Sequence, residues 1–282
     1  MSESEYYFLA ASIVLYVASV TSVSFVKREK AASVLIAAGL VCQLISASVR
    51  WAGIGHPPIF GTYEAALAGS WFLILFTLFS YRSVHGHFRL LVQTALPMAL
   101  IIILYGLTFN RERIPLTISE LSLWVDFHAL FSWLAFAPFT LAFCLSAFYI
   151  LKGGDKRAEP EEGYESADVA HPPFVVMDEL SFRYINFGFI NHTIMFALGC
   201  YYSSILYGNW WQWDPAESTS LITWLSVALY IHMRLFYNWR GRRAAWLFVV
   251  IFFTVLFSYW GLIYLPAGST FHVFDIDLKS HL

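Results

Sequence analysis

Three tryptophans, Trp210, Trp211 and Trp213, stand together in GNWWQWDPAES, residues 208–218, with Asp214 and Glu217 beside them and Tyr207 just before. Membrane boundaries use single indoles as anchors. Three on one short link cannot all enter lipid, and rings with nowhere apolar to hide form a candidate binding surface. A porphyrin is the flat ligand that suits such a surface, provided iron ligands lie close. Nine histidines are available to supply them. His128 in LWVDFHALFSW and His272 in AGSTFHVF flank the tryptophans in sequence. Two neutral imidazoles above and below a porphyrin are a common way to hold haem iron.

His192 in FINHTIMF and His232 in ALYIHMR lie deeper in apolar runs, where an ionisable side chain points to function. Each is 20 residues from position 212. If their two helices are antiparallel neighbours, the spacing predicts equal depth. Two imidazoles at one level would bracket a second haem, or bond each other or a carbonyl. Asp214-Pro215-Ala216-Glu217 also reads as a capping box that opens a helix, with Asp at N-cap, Pro at N1 and Glu at N3. His56 in GIGHPP reads as a turn histidine. Tyr63 and Glu64 open a helix, whose positive end favours the glutamate.

The elements that carry these groups are long and apolar. The chain is 59% hydrophobic and 13% charged, where a soluble domain carries roughly a quarter charged residues. Eight runs, near 6–26, 31–50, 64–81, 88–108, 123–151, 184–207, 218–237 and 244–264, are long enough for helical spans. The expectation is an all-α polytopic bundle of about eight transmembrane helices, forming one domain over residues 1–282. The first run lacks a basic leader and is expected to stay as a span. With the N-terminus outside, the inner connections hold 13 Lys and Arg against four outside. That bias puts both termini, and residues 207–218, on the outer side of the membrane. The charged, Gly- and Pro-bearing stretch 152–173 is expected to be disordered, within a flexible cytoplasmic loop set at 152–180. A net charge of −2 gives no nucleic-acid footprint. Cys42, Cys144 and Cys200 stand singly and read as packing residues.

YGNWWQWDPAESTSLITWLSVALYIHMR resembles the tryptophan-rich WWD segment of the CcsA/ResC family, the System II cytochrome c biogenesis proteins. Gly208, Trp211, Trp213, Asp214, Pro215, Glu217, Trp224 and His232 stand where the family pattern has them. DELSFRYINFGF, GHPPIFGTYEAALAGSW and WVDFHALFSW are similar to further family segments. Tyr207 stands where the pattern has its first tryptophan, FHVF where the family tends to LHSY, and His192 has no counterpart in it. The resemblance implies a component of a holocytochrome c synthase in the cytoplasmic (inner) or a thylakoid-type membrane. It would receive haem b as a transient ligand and present it outside to CxxCH apocytochrome c. A ResB/CcsB-like membrane protein would be its partner in the lipid bilayer. His128 and His272 would be the outer axial ligands, and His232 one intramembrane ligand opposite a histidine of the partner. Trp210, Trp211, Trp213 and Asp214 complete the candidate haem-binding set, with His192, Tyr207 and Glu217 as further candidates. A non-catalytic haem-binding regulator of the HemX type and a haem-bearing electron-transfer anchor are the alternatives.

Overall fold

The computed structural model describes residues 2–82, 88–112, 116, 121–153 and 173–265. Among them the helices are α1 (Glu3–Thr21), α2 (Glu29–Ile54), α3 (Thr62–Phe79), α4 (Phe88–Gly106), α5 (Leu123–Leu151), α6 (Pro173–Tyr207), α7 (Pro215–Phe236) and α8 (Gly241–Leu256). No strand occurs among the described residues. In a bilayer core a helix satisfies its own backbone polar groups, and apolar runs of this length therefore fold this way. Seven of the helices, α1 to α5, α7 and α8, are long and apolar enough to cross a membrane. The chain is a polytopic helical membrane bundle.

The eighth, α6, falls short of that apolar criterion. Asn191, His192 and Ser203 on it are polar and buried. It runs through the bundle all the same, packed along α5 over most of its length. Its first turn begins at Pro173, so residues 173–180, set within the flexible stretch by the sequence reading, are helical.

The helices pack as neighbours in sequence: α1 with α2, α3 with α4, α5 with α6, and α7 with α8, while α5 also meets α3 and α8. Phe139 of α5 meets Phe248 of α8 at 6.2 Å, and Phe143 stacks on Phe252 at 4.3 Å; Phe139, Phe248 and Phe252 are fully buried. Gly188 allows α6 to approach α5, since a Cβ there would lie 2.6 Å from the Phe139 ring. Inside α1–α3, the Tyr16 hydroxyl donates to Gln43 Oε1 at 2.8 Å. The Gln43 amide in turn donates to Leu67 O at 3.0 Å and Ser70 Oγ at 3.1 Å. Buried polar groups in lipid need such partners.

One end of the bundle collects the start of α1, α3, α5 and α7 and the finish of the other four helices. This is the end where the tryptophan loop 208–214 lies, and α8 closes there with a π turn, Phe257–Gly261, and a short 3-10 turn, Leu262–Tyr264. Tyr264 meets Tyr105 of α4 hydroxyl to hydroxyl at 3.1 Å.

Candidate functional site

His128 sits one and a half turns into α5, half-buried against α6. Its Nδ1 lies 2.9 Å from the carbonyl of Met195. A carbonyl only accepts, so Nδ1 carries the proton and the lone pair is on Nε2. Metal-binding imidazoles are oriented by this kind of outer bond. The ring also rests on Gly199, where a Cβ would lie 3.1 Å from Cε1.

An aromatic row runs beside it. Trp124, one turn before His128 on α5, meets Tyr201 of α6 edge-on at 4.7 Å. Tyr201 meets Trp210 of the loop at 6.0 Å. Trp124, Tyr201 and Trp210 are all exposed, which gives a strip of ring surface across α5, α6 and the loop. Trp211 turns inward onto Phe196 of α6 at 5.7 Å and meets Trp213 at right angles, 5.5 Å away. Its indole N–H is buried without a hydrogen-bond partner.

Trp213 is 74% exposed and has φ +58°. A bulky residue in the left-handed region is a backbone outlier that costs on the order of 1–3 kcal/mol. Its neighbours hold it there. Glu217 Oε2 accepts from the amides of Gln212 at 2.8 Å and Asp214 at 3.4 Å, and Oε1 lies 3.4 Å from Ser203 Oγ. Asp214 Oδ1 accepts from the amide of Ala216 at 2.8 Å. The capping box read from the sequence is present, with Pro215 at N1. Asp214 is buried, and both carboxylates fasten the loop to α6 and α7. Tyr207 is exposed at the end of α6, where Gly208 with φ +72° ends the helix.

His192 and His232 are not at one level. His192 Nε2 lies 3.2 Å from the carbonyl of Ser220, near the start of α7. Ser220 precedes His232 by 12 residues, about 18 Å along a helix. The equal-depth expectation fails because the loop folds back along α6, as the Trp211–Phe196 contact shows. Trp224 against Phe189 and Arg234 against Asp178 keep the same shifted register down to the far end. His192 is 1% exposed, inside the bundle, and its Nδ1 has no hydrogen-bond partner. His232 faces outward, its ring 4.7 Å from that of Phe236.

Two ionic clusters frame these groups. At the tryptophan end, Arg50 Nε donates to Glu64 at 2.6 Å and its Nη1 to Glu5 at 3.3 Å and to the carbonyl of Arg111 at 3.3 Å. Its guanidinium stacks on Tyr63, 5.0 Å from the ring centre. His56, buried in the turn after α2, lies within electrostatic reach of Glu64 and of Asp126 on α5. At the opposite end Arg234 binds both oxygens of Asp178, at 2.6 and 2.8 Å, and the amide of Gly241 donates to Asp178 at 3.1 Å. That joins α6, α7 and the start of α8.

Residues 59–269 match the sequence profile of the cytochrome C assembly protein family. The chain belongs to that family. The cytochrome c biogenesis protein CcsA of Prochlorococcus marinus subsp. pastoris is 27% identical, over 93% of this chain and 88% of its own length. The CcsA of Synechococcus sp. is 28% identical over 78% of this chain and 77% of its own. That of Chlamydomonas reinhardtii is 30% identical over 76% of this chain and 60% of its own. Membership places this cytochrome c assembly protein in cytochrome c biogenesis, a process whose cargo is haem.

The matched stretch of the assembly protein takes in α3 to α8, and with them His128, the tryptophan loop and His232. His272 lies beyond it and outside the described residues. Trp124, Tyr201, Met195 and Gly199 join the site without having been singled out in the sequence. Trp124 had a signal, since it shares a helix face with His128 four residues on. The α6 residues had none, because only the packing of α5 on α6 selects them.

Proposed function

We propose that this assembly protein takes up haem at His232, passes it to the tryptophan end of the bundle, and offers it there to CxxCH apocytochrome c. The observation that carries this reading is His128, an imidazole held by the Met195 carbonyl in the tautomer that a metal needs, beside an exposed aromatic strip. His272 is the proposed second outer ligand. Trp210 and Trp213 supply ring surface to the macrocycle, with Tyr207 at its margin. Asp214 and Glu217 act by holding those indoles in place. The outward aspect of His232 suits a site shared with a ResB/CcsB-like partner that brings the opposing histidine. The excess of basic residues in the inner connections supports the orientation with the tryptophan end outside a cytoplasmic or thylakoid-type membrane.

In the attachment each thiol adds across one vinyl double bond, sulfur to the inner carbon and hydrogen to the terminal one. No electrons are lost, so the client thiols must arrive reduced. The chain's contribution is orientation, with the macrocycle fixed while the two additions proceed. The client's histidine then replaces one imidazole of the outer pair, and the folding cytochrome removes its haem.

His128→Gly is expected to lower outer-site haem and cytochrome c maturation sharply, with partial recovery on adding imidazole. The measurement is the haem spectrum of the purified complex, together with thioether-linked cytochrome in the same cells. Normal maturation by a stably expressed variant defeats the ligand assignment. A wild-type complex that keeps its haem in the presence of apocytochrome would mark a regulator or an electron-transfer anchor.

A further inference from the structure

Trp224 lies between the two proposed haem positions and has no part in either. It is nine residues past Pro215 and eight before His232, about 14 and 12 Å along α7. Its Nε1 donates to Thr193 Oγ1 at 2.9 Å, and Thr193 donates to the carbonyl of Phe189 at 2.8 Å. The indole stacks on Phe189, 5.4 Å between centres and 29° between planes. Phe189, Thr193 and Phe196 recur at helical spacing along one stripe of α6. Phe196 carries Trp211, so the stripe leads to the loop.

The interior between the same end points is closed. His192, the other intramembrane imidazole, is 1% exposed, with Nε2 bonded to Ser220 and its ring 6.2 Å from that of Phe139. Phe139, and Phe248 packed against Phe139 at 6.2 Å, are fully buried. A close-packed core does not part for a tetrapyrrole without losing that packing. The outward face of α6 and α7 needs no such change, since Thr193 and His232 are already exposed there. A porphyrin suits it better than an acyl chain does, because it gains from a flat ring held in one orientation.

We propose that the outward face where α6 and α7 meet, centred on Trp224, is an intermediate resting site for haem between His232 and the tryptophan loop. The proposal rests on the function argued above and adds the route. His192 is a structural residue that haem does not touch.

The test uses the full chain purified with its partner, with haem quantified and its spectra assigned to the two sites through the His128→Ala and His232→Ala variants. Trp224→Leu is expected to keep inner-site haem at the wild-type level and to lower outer-site haem several-fold. Trp224→Phe, which keeps a ring, is expected to recover most of the loss. Thr193→Val removes the lock on the indole with little change of volume and is expected to give a smaller deficit of the same kind. It serves as the test if Trp224→Leu fails to accumulate. His192→Leu is expected to leave both sites filled. Wild-type haem at both sites in Trp224→Leu would overturn the route, as would a His192→Leu variant that empties only the outer site. A wild-type complex with no haem at either site would instead overturn the function on which the route rests.

Discussion

The ring of His128 rests on the α-carbon of Gly199: a Cβ added there would come within 3.1 Å of Cε1 and 3.2 Å of Nδ1. The imidazole is thus set by the surface of α6 as well as by the Met195 carbonyl. Gly199→Ala is expected to shift the ring by a few tenths of an ångström and alter the haem spectrum modestly. Gly199→Val, with two further methyl groups in the same space, is expected to lower outer-site haem several-fold and to respond to imidazole. Optical and paramagnetic-resonance spectra of the purified complex report both effects.

Trp213 is expected to separate stability from binding. With φ +58° it occupies a backbone region that glycine adopts freely. Trp213→Gly relieves strain of about 1–2 kcal/mol and adds about 0.5–1 kcal/mol of chain entropy to be lost on folding. The melting temperature in detergent is therefore expected to hold or rise slightly, while outer-site haem falls. A joint fall of both would mean that the indole serves packing alone.

Glu217 joins the loop, the N-cap of α7 and Ser203 of α6 through one carboxylate. Glu217→Ala is expected to cost about 1–3 kcal/mol by leaving those amides unpaired. Intrinsic tryptophan fluorescence should become easier to quench by iodide. Glu217→Gln keeps the acceptor oxygen and is expected to fall between the two.

Arg50 is flanked by two carboxylates, and its side chain is 4% exposed. Arg50→Met strands Glu5 and Glu64 in the interior and is expected to cost about 3–5 kcal/mol. Combining it with Glu5→Gln and Glu64→Gln removes the stranded charges and should recover much of that loss. Thermal unfolding of the single and triple variants in detergent checks the comparison.

Asp178 holds Arg234 and the first amide of α8. Asp178→Ala leaves a guanidinium whose side chain is 4% exposed, with an expected loss of about 3–5 kcal/mol. Limited proteolysis near residue 240 should become faster in this variant.

The helices were legible in the sequence because membrane solvent imposes a long apolar run on every span. α6 was legible by position, though its buried Asn191 and His192 dilute its apolar content. The cap at Asp214 and Glu217 was legible because capping is local, and its residues stand within four positions. Relations across helices were not. Glu64 reads as a helix-end acid, and its partner is Arg50, 14 residues away on the preceding helix. The depth of His192 was misjudged because counting from the middle of a loop assumes that the loop projects, whereas Trp211 folds back onto Phe196. Trp124 and Tyr201 form part of the aromatic strip only because α5 and α6 cross where they do.

The tie between Asp178, Arg234 and Gly241 fastens α6, α7 and α8 at the end remote from the tryptophans. Glu217 makes a second tie between α6 and α7 at the other end, through Ser203, and Trp224 a third between them, through Thr193. Polar staples in apolar surroundings are costly to break. The two helices therefore have little freedom to slide past each other and behave as one strut.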